Sequence, residues 1–276
     1  MIDLLPIVIP GCAAALAAIL VTMAIERLGG KLGGILGTLP LTVVPASLGL
    51  FHVDPRADVF ATAMSAIPLG MLLNVAFLGV WRIWPIRAGD RPTALVETLG
   101  LSLGFWIAGA LLLVVVRESL TPNMTRDVLV GVVALVVTVL LGARACRNAP
   151  PSPKGNRRVG LRVLLLRGIG AGAAIACGVA LGRAGWMTAA GMASVFPAIF
   201  LTSMLATWMA QGKAVPIGAS GPMMLGSVAV SIYALACTFS MPWVGPLGGS
   251  ILGWIAGSVF GSLPAYLWLK NRTPAT

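Results

Sequence analysis

Apolar residues run along most of this chain in blocks of roughly 20, each long enough as a helix to cross the ~30 Å hydrocarbon core of a bilayer. Nine blocks can be marked, at 5–25, 32–52, 59–81, 94–116, 128–144, 163–182, 185–208, 214–239 and 246–269, with the charged residues gathered mostly between them. The pattern predicts an all-α, polytopic membrane protein of about nine transmembrane helices. The fifth block is short, and the second and seventh are interrupted, so each of those two reads either as a full crossing or as a re-entrant segment.

The interruption of the second block is the stretch "GGILGTLPLTVVPASLGL" at 33–50, which carries Pro40, Pro45, four glycines and two threonines. Proline inside a helix removes a backbone bond and clashes with the carbonyl four residues earlier, and a carbonyl freed in hydrocarbon has no water to bond. Something other than lipid must face it. The seventh block repeats the design in "GMASVFPAIFLTSMLATW" at 191–208, where Pro197 follows Gly191 by the same interval that separates Pro40 from Gly34. Two more landmarks keep the same order. "GMLLNVAF" at 70–77 aligns with "GSVAVSIY" at 226–233, and the tetrapeptide Trp106–Gly109 recurs as Trp254–Gly257.

Spans one to four and six to nine therefore read as two copies of one unit, joined by a linking helix. The units are 1–116 and 161–276, with 117–160 holding the linking helix and a basic loop. Five crossings separate the starts of the two units, so the second enters the membrane from the opposite side. Inverted repeats of this kind place interrupted helices at mid-membrane around a pseudo-two-fold axis, which is the organisation of secondary transporters.

"ASVFPAIFLTSML", the glycine and tyrosine of "GSVAVSIY" and the tryptophan of "GWIAGS" resemble the GlpM-type small bacterial inner-membrane proteins. The likeness covers about 180–270 best and 30–115 less well, since Leu39-Pro40 stands in place of Phe-Pro and Phe77 in place of tyrosine. It implies a duplicated GlpM-like unit in a bacterial inner membrane, and names no substrate.

Charge adds an orientation. The chain is 58% hydrophobic, 10% charged and +11 net, which in a soluble protein would suggest nucleic acid. When the nine spans alternate, 15 of the lysines and arginines fall on one side and 4 on the other. Cytoplasmic loops collect the basic residues, so the N-terminus is expected outside, the C-terminus in the cytoplasm, and nucleic acid is not an expected partner. The partners expected are the lipid bilayer, a small solute and, as an option left open, a second copy of the chain in a homodimer.

Candidate chemistry is sparse. Cys12, Cys146, Cys177 and Cys237 are scattered, and the single histidine, His52, falls near a span end, so neither a metal centre nor a cofactor is expected. Paired acids or a nucleophile with its base are also missing, which argues against an enzyme. The interrupted spans supply the candidate solute-binding residues: Thr38, Pro40, Thr42 and Pro45 in the first unit, and Ser194, Pro197, Thr202 and Ser203 in the second. Asn74 is the one deep amide. Glu97 is the one carboxylate expected within a span, about a turn from its cytoplasmic end, and is the candidate for proton coupling. The expectation is an inner-membrane secondary transporter that moves a small solute by alternating access. A non-transporting accessory or lipid-interacting protein is the second reading, and a passive pore the third.

The charge split makes a direct prediction. In a cysteine-free background carrying Lys154→Cys, an impermeant maleimide should label the protein only from the cytoplasmic side. Labelling from the periplasm would reverse the topology.

Overall fold

The computed structural model describes residues 4–28, 39–147 and 160–271, and side chains throughout these except in 25–28. Thr38 and the basic loop at 148–159 lie outside the described residues. Among those described, the chain is entirely helical: α1 (Leu5–Leu28), α2 (Val44–Val53), α3 (Ala57–Ala88), α4 (Ala94–Glu118), α5 (Met124–Arg147), α6 (Leu161–Arg183), α7 (Met187–Ser194), α8 (Ala198–Gln211), α9 (Ala214–Ala256), a π-helical turn at Gly257–Ser262 and α10 (Leu263–Lys270).

Seven helical stretches are long and apolar enough to cross a membrane. The nine blocks of the sequence reduce to seven for two reasons. Part of the second block lies outside the described residues, leaving the ten-residue α2. The eighth and ninth blocks form one stretch of 57 residues, Ala214–Lys270. That stretch folds back at Gly245, whose φ of 80° is open to glycine at little cost. Its two arms lie side by side: a Cβ on Gly249 would strike the backbone of Met241, one on Gly253 the Cys237 sulfur, and one on Gly261 the backbone of Ala229.

The core lies along α3. Phe60, Met64, Ile67, Phe77, Leu78 and Trp81 on this helix are fully buried, packed against α2, α7 and α8 and against the first arm of α9, which brings Tyr233 and Cys237. By contrast, α4 and α5 turn large apolar side chains outward, among them Phe105, Leu111, Leu112, Val115, Leu129 and Leu140. An apolar surface of this extent is at home in lipid and costly in water.

Small residues set the helix spacing. Gly11 of α1 meets Gly172 and Ala176 of α6, while Gly168 of α6 meets Ala15 and Ile19 of α1, so the two helices run antiparallel in near-backbone contact. Gly191 of α7 lies against the Ala63 carbonyl of α3. Close approach through glycine and alanine is the usual basis of helix association in lipid, where hydrophobic burial between helices supplies little.

Substitution at these contacts should separate tight from open positions. Gly191→Ala is expected to destabilise the fold by about 1–3 kcal/mol through overpacking. Gly100→Ala, with open space around it, should be neutral or slightly stabilising because glycine is the poorer helix former. Thermal unfolding of the purified variants in detergent reads both.

Candidate functional site

Both interrupted blocks depart from helix within the described residues, each in its own way. Residues 39–43 are non-helical, and α2 begins at Val44 with Pro45 in its first turn. Pro45 therefore starts a helix instead of breaking one, in the position where a missing N–H costs nothing. Pro40 marks the break itself. In the second unit α7 ends at Ser194, and α8 begins at Ala198 directly after Pro197.

The two breaks meet at one cavity of about 430 Å³. Leu39, Thr42 and Val43 come from the first break, and Ser194 through Phe200 with Ser203 from the second. α3 adds Met71 and Asn74, α6 adds Arg167, and α9 adds Ser227 and Val230. Thr42, Asn74, Ser194, Pro197 and Ser203 thus share one space. Pro40, Pro45, Thr202 and Glu97 are not on its wall. Pro40 is buried with its ring against Gly257. The Thr202 hydroxyl bonds back to the carbonyls of Ala198 and Ile199 at 2.8 and 3.1 Å. Glu97 sits in the first turn of α4, half-buried, accepting from Thr93 Oγ1 at 2.6 Å and Trp84 Nε1 at 3.1 Å.

Each break is braced from the opposite unit. Asn74 Nδ2 donates to the Val195 carbonyl at 2.9 Å, and Asn74 Oδ1 accepts from Trp106 Nε1 at 2.8 Å. The Trp106 ring stands edge-on to Phe196 with centroids 5.2 Å apart. On the other side, the Tyr233 hydroxyl of α9 lies between Ser47 of α2 and Ser250. Asn74 thus pairs a carbonyl next to the break while remaining on the cavity wall. The serine hydroxyls are likewise paired locally, Ser194 to the Ala190 carbonyl and Ser203 to that of Ile199. Ser194 keeps both lone pairs and Ser203 one with which to accept from a guest, the other Ser203 lone pair being taken by Arg167.

Arg167, in the second turn of α6, was not among the candidates and lies on the cavity wall, 9% exposed, donating to Thr22 Oγ1 at 3.0 Å and Ser203 Oγ at 2.8 Å. Its place in the sixth span, one turn beyond Arg162, was the only signal.

A second cavity, of about 760 Å³, lies at the opposite end of α4 from Glu97 and is lined by His52, Asp54, Arg56, Arg117, Glu118 and Arg183 among others. Asp54 accepts from Arg56 at 2.6 Å, and that guanidinium holds its carboxyl below the usual range. Glu118 Oε1 accepts from the Thr188 and Ala189 amides at the start of α7, at 2.8 and 3.3 Å. Behind the wall, Asp127 lies in the first turn of α5, fully buried, 3.0 Å from Arg117 and bonded to Thr62 at 2.7 Å.

No family model, curated protein or solved structure matches the chain. Among the described residues no group of acidic, histidine or cysteine side chains is placed to hold a metal.

The bracing of the second break is testable. Asn74→Ala leaves the Val195 carbonyl and the Trp106 indole N–H buried without their partner, which should cost about 2–4 kcal/mol. Ser194→Ala removes only a hydroxyl bonded to its own helix and should cost under about 1 kcal/mol. Reversible unfolding in mixed micelles gives both values.

Proposed function

We propose that the chain is a bacterial inner-membrane secondary transporter that carries a small solute through the 430 Å³ cavity by alternating access. The observation that carries this reading is the convergence of two non-helical segments, residues 39–43 and 195–197, on one cavity. Breaks of this kind are costly in lipid and persist where they line a site.

The reading includes nine crossings in two inverted units, with the arms of α9 before and after Gly245 counted as the last two. The antiparallel contact of α1 with α6 supports the inversion. The register that sets Pro40 on Pro197 also sets Gly11 on Gly168 and Ala15 on Gly172, so these helices touch through equivalent positions, as elements related by a two-fold axis do. A GlpM-like unit duplicated in this way, with the N-terminus outside, completes the proposal.

The two halves are also tied at both ends. Lys213 Nζ donates to the Gly89 carbonyl at 2.7 Å and Asp90 at 2.6 Å, and Glu118 holds the first turn of α7 a full helix length away. Rocking of one half against the other would open one tie and keep the other, which gives each end a gate.

A thermal-shift screen over metabolites should find a solute that stabilises the purified protein, and proteoliposomes should accumulate that solute with saturation. Pro197→Ala should fold as well as the parent or better, because its helix can close, and should transport at under about a tenth of the parental rate. A fully active Pro197→Ala protein would remove the break from the mechanism. Flux that never saturates would favour a pore.

A further inference from the structure

We propose that the 760 Å³ cavity beside Arg117 is an oxyanion-binding site, taking a carboxylate, sulfate or phosphate group. This inference concerns a different cavity from the transport reading and does not depend on it.

Arg117 comes from the last turn of α4, lines the cavity and is 8% exposed. Its Nη2 donates to Ser65 Oγ at 3.0 Å and pairs with Asp127 at 3.0 Å. Its Nη1 is buried with no hydrogen-bond partner. A guanidinium nitrogen left in this condition costs more than a neutral group would, because the charge is desolvated along with the donor.

The carboxylate behind it is divided between two cations. Asp127 is shared between the buried Arg117 and the partly exposed Arg126, each at 3.0 Å, so two guanidiniums meet one carboxylate. The two carboxylates on the cavity wall are already engaged, Asp54 by Arg56 and Glu118 by the α7 amides. The donor without a partner belongs to a guanidinium, which suits an oxyanion because it presents paired N–H groups at the spacing of two oxygens, and Arg56 and Arg183 line the same cavity. A guest oxyanion beside Arg117 would offset this excess positive charge, a monoanion bringing the three groups to neutrality, and a turn of the guanidinium toward the cavity would give the buried Nη1 its partner. Oxyanions of this class reach such a cavity as free solutes or as phospholipid headgroups, and the chemistry is the same.

The test uses the full-length protein in lipid-free detergent micelles, titrated with sodium sulfate and sodium acetate at an ionic strength held constant with chloride. Saturable stabilisation by at least one of the two is expected. Arg126→Gln leaves Asp127 to Arg117 alone and neutralises the cluster from its exposed side, so it should weaken binding about tenfold while preserving the fold. Arg117→Met combined with Asp127→Asn removes the pair together, which avoids a lone buried charge, and should abolish binding. Arg167→Gln, in the other cavity, should bind as the parent does. Displacement of bound sulfate by a short-chain phosphatidylglycerol would assign the site to headgroups, and failure to displace it would assign it to free anions; either supports the site. Absence of saturable binding in the parent, or unchanged binding in both the Arg126 and the paired variants, would overturn it.

Discussion

A carbonyl freed inside a membrane must find a donor from protein, and that requirement organises this molecule. At the Pro197 break the donor is Asn74, held in turn by Trp106, so a helix in one half is locked to two helices of the other. Across the core Tyr233 ties α2 to both arms of α9. These cross-bonds explain why α3 and the first arm of α9 are the most enclosed helices and why the breaks face each other over a cavity instead of facing lipid.

Much of this was legible in the residue pattern. Apolar block lengths gave the helices, because the bilayer imposes one length scale on all of them. The Pro40 and Pro197 interruptions were visible because each proline falls among glycine and hydroxyl residues in a repeated pattern, whereas Pro10, Pro68 and Pro85 lie within continuous helices. Thr42, Ser194 and Ser203 were among the residues named from those breaks, and Asn74 was named separately as the one deep amide. What escaped the sequence depends on direction around a helix. In a chain apolar on nearly every face, periodicity does not say which side of α6 carries Arg167 inward or which turn of α5 buries Asp127. Thr202 and Ser203 are neighbours with the same hydroxyl chemistry, yet only Ser203 reaches the cavity. The role of Pro45 as a helix start instead of a break also depended on where residues 39–43 left the helix.

The two segments around the cavity are held differently. The Trp106 indole N–H is met by Asn74, which also bonds the Val195 carbonyl, whereas the Trp254 indole N–H is buried without a hydrogen-bond partner. α2 is held by a tyrosine and two serines instead of an amide. Each end of the molecule also has its own polar chemistry: Lys213 with Asp90 at one, and at the other a vestibule built on Arg117, Arg56 and Glu118.

Alternating access is tested most directly by the accessibility of the central cavity from the two faces of the membrane. With a single cysteine at Thr42 in a cysteine-free protein, an impermeant maleimide would be applied to right-side-out and inside-out vesicles. Lys213→Met, which removes both bonds of the tie, should raise the labelling rate from the face that carries the tie and lower it from the other, because the two accessible states draw on one population. Labelling that rises from both faces together, or that reaches Thr42 from neither, would contradict the account.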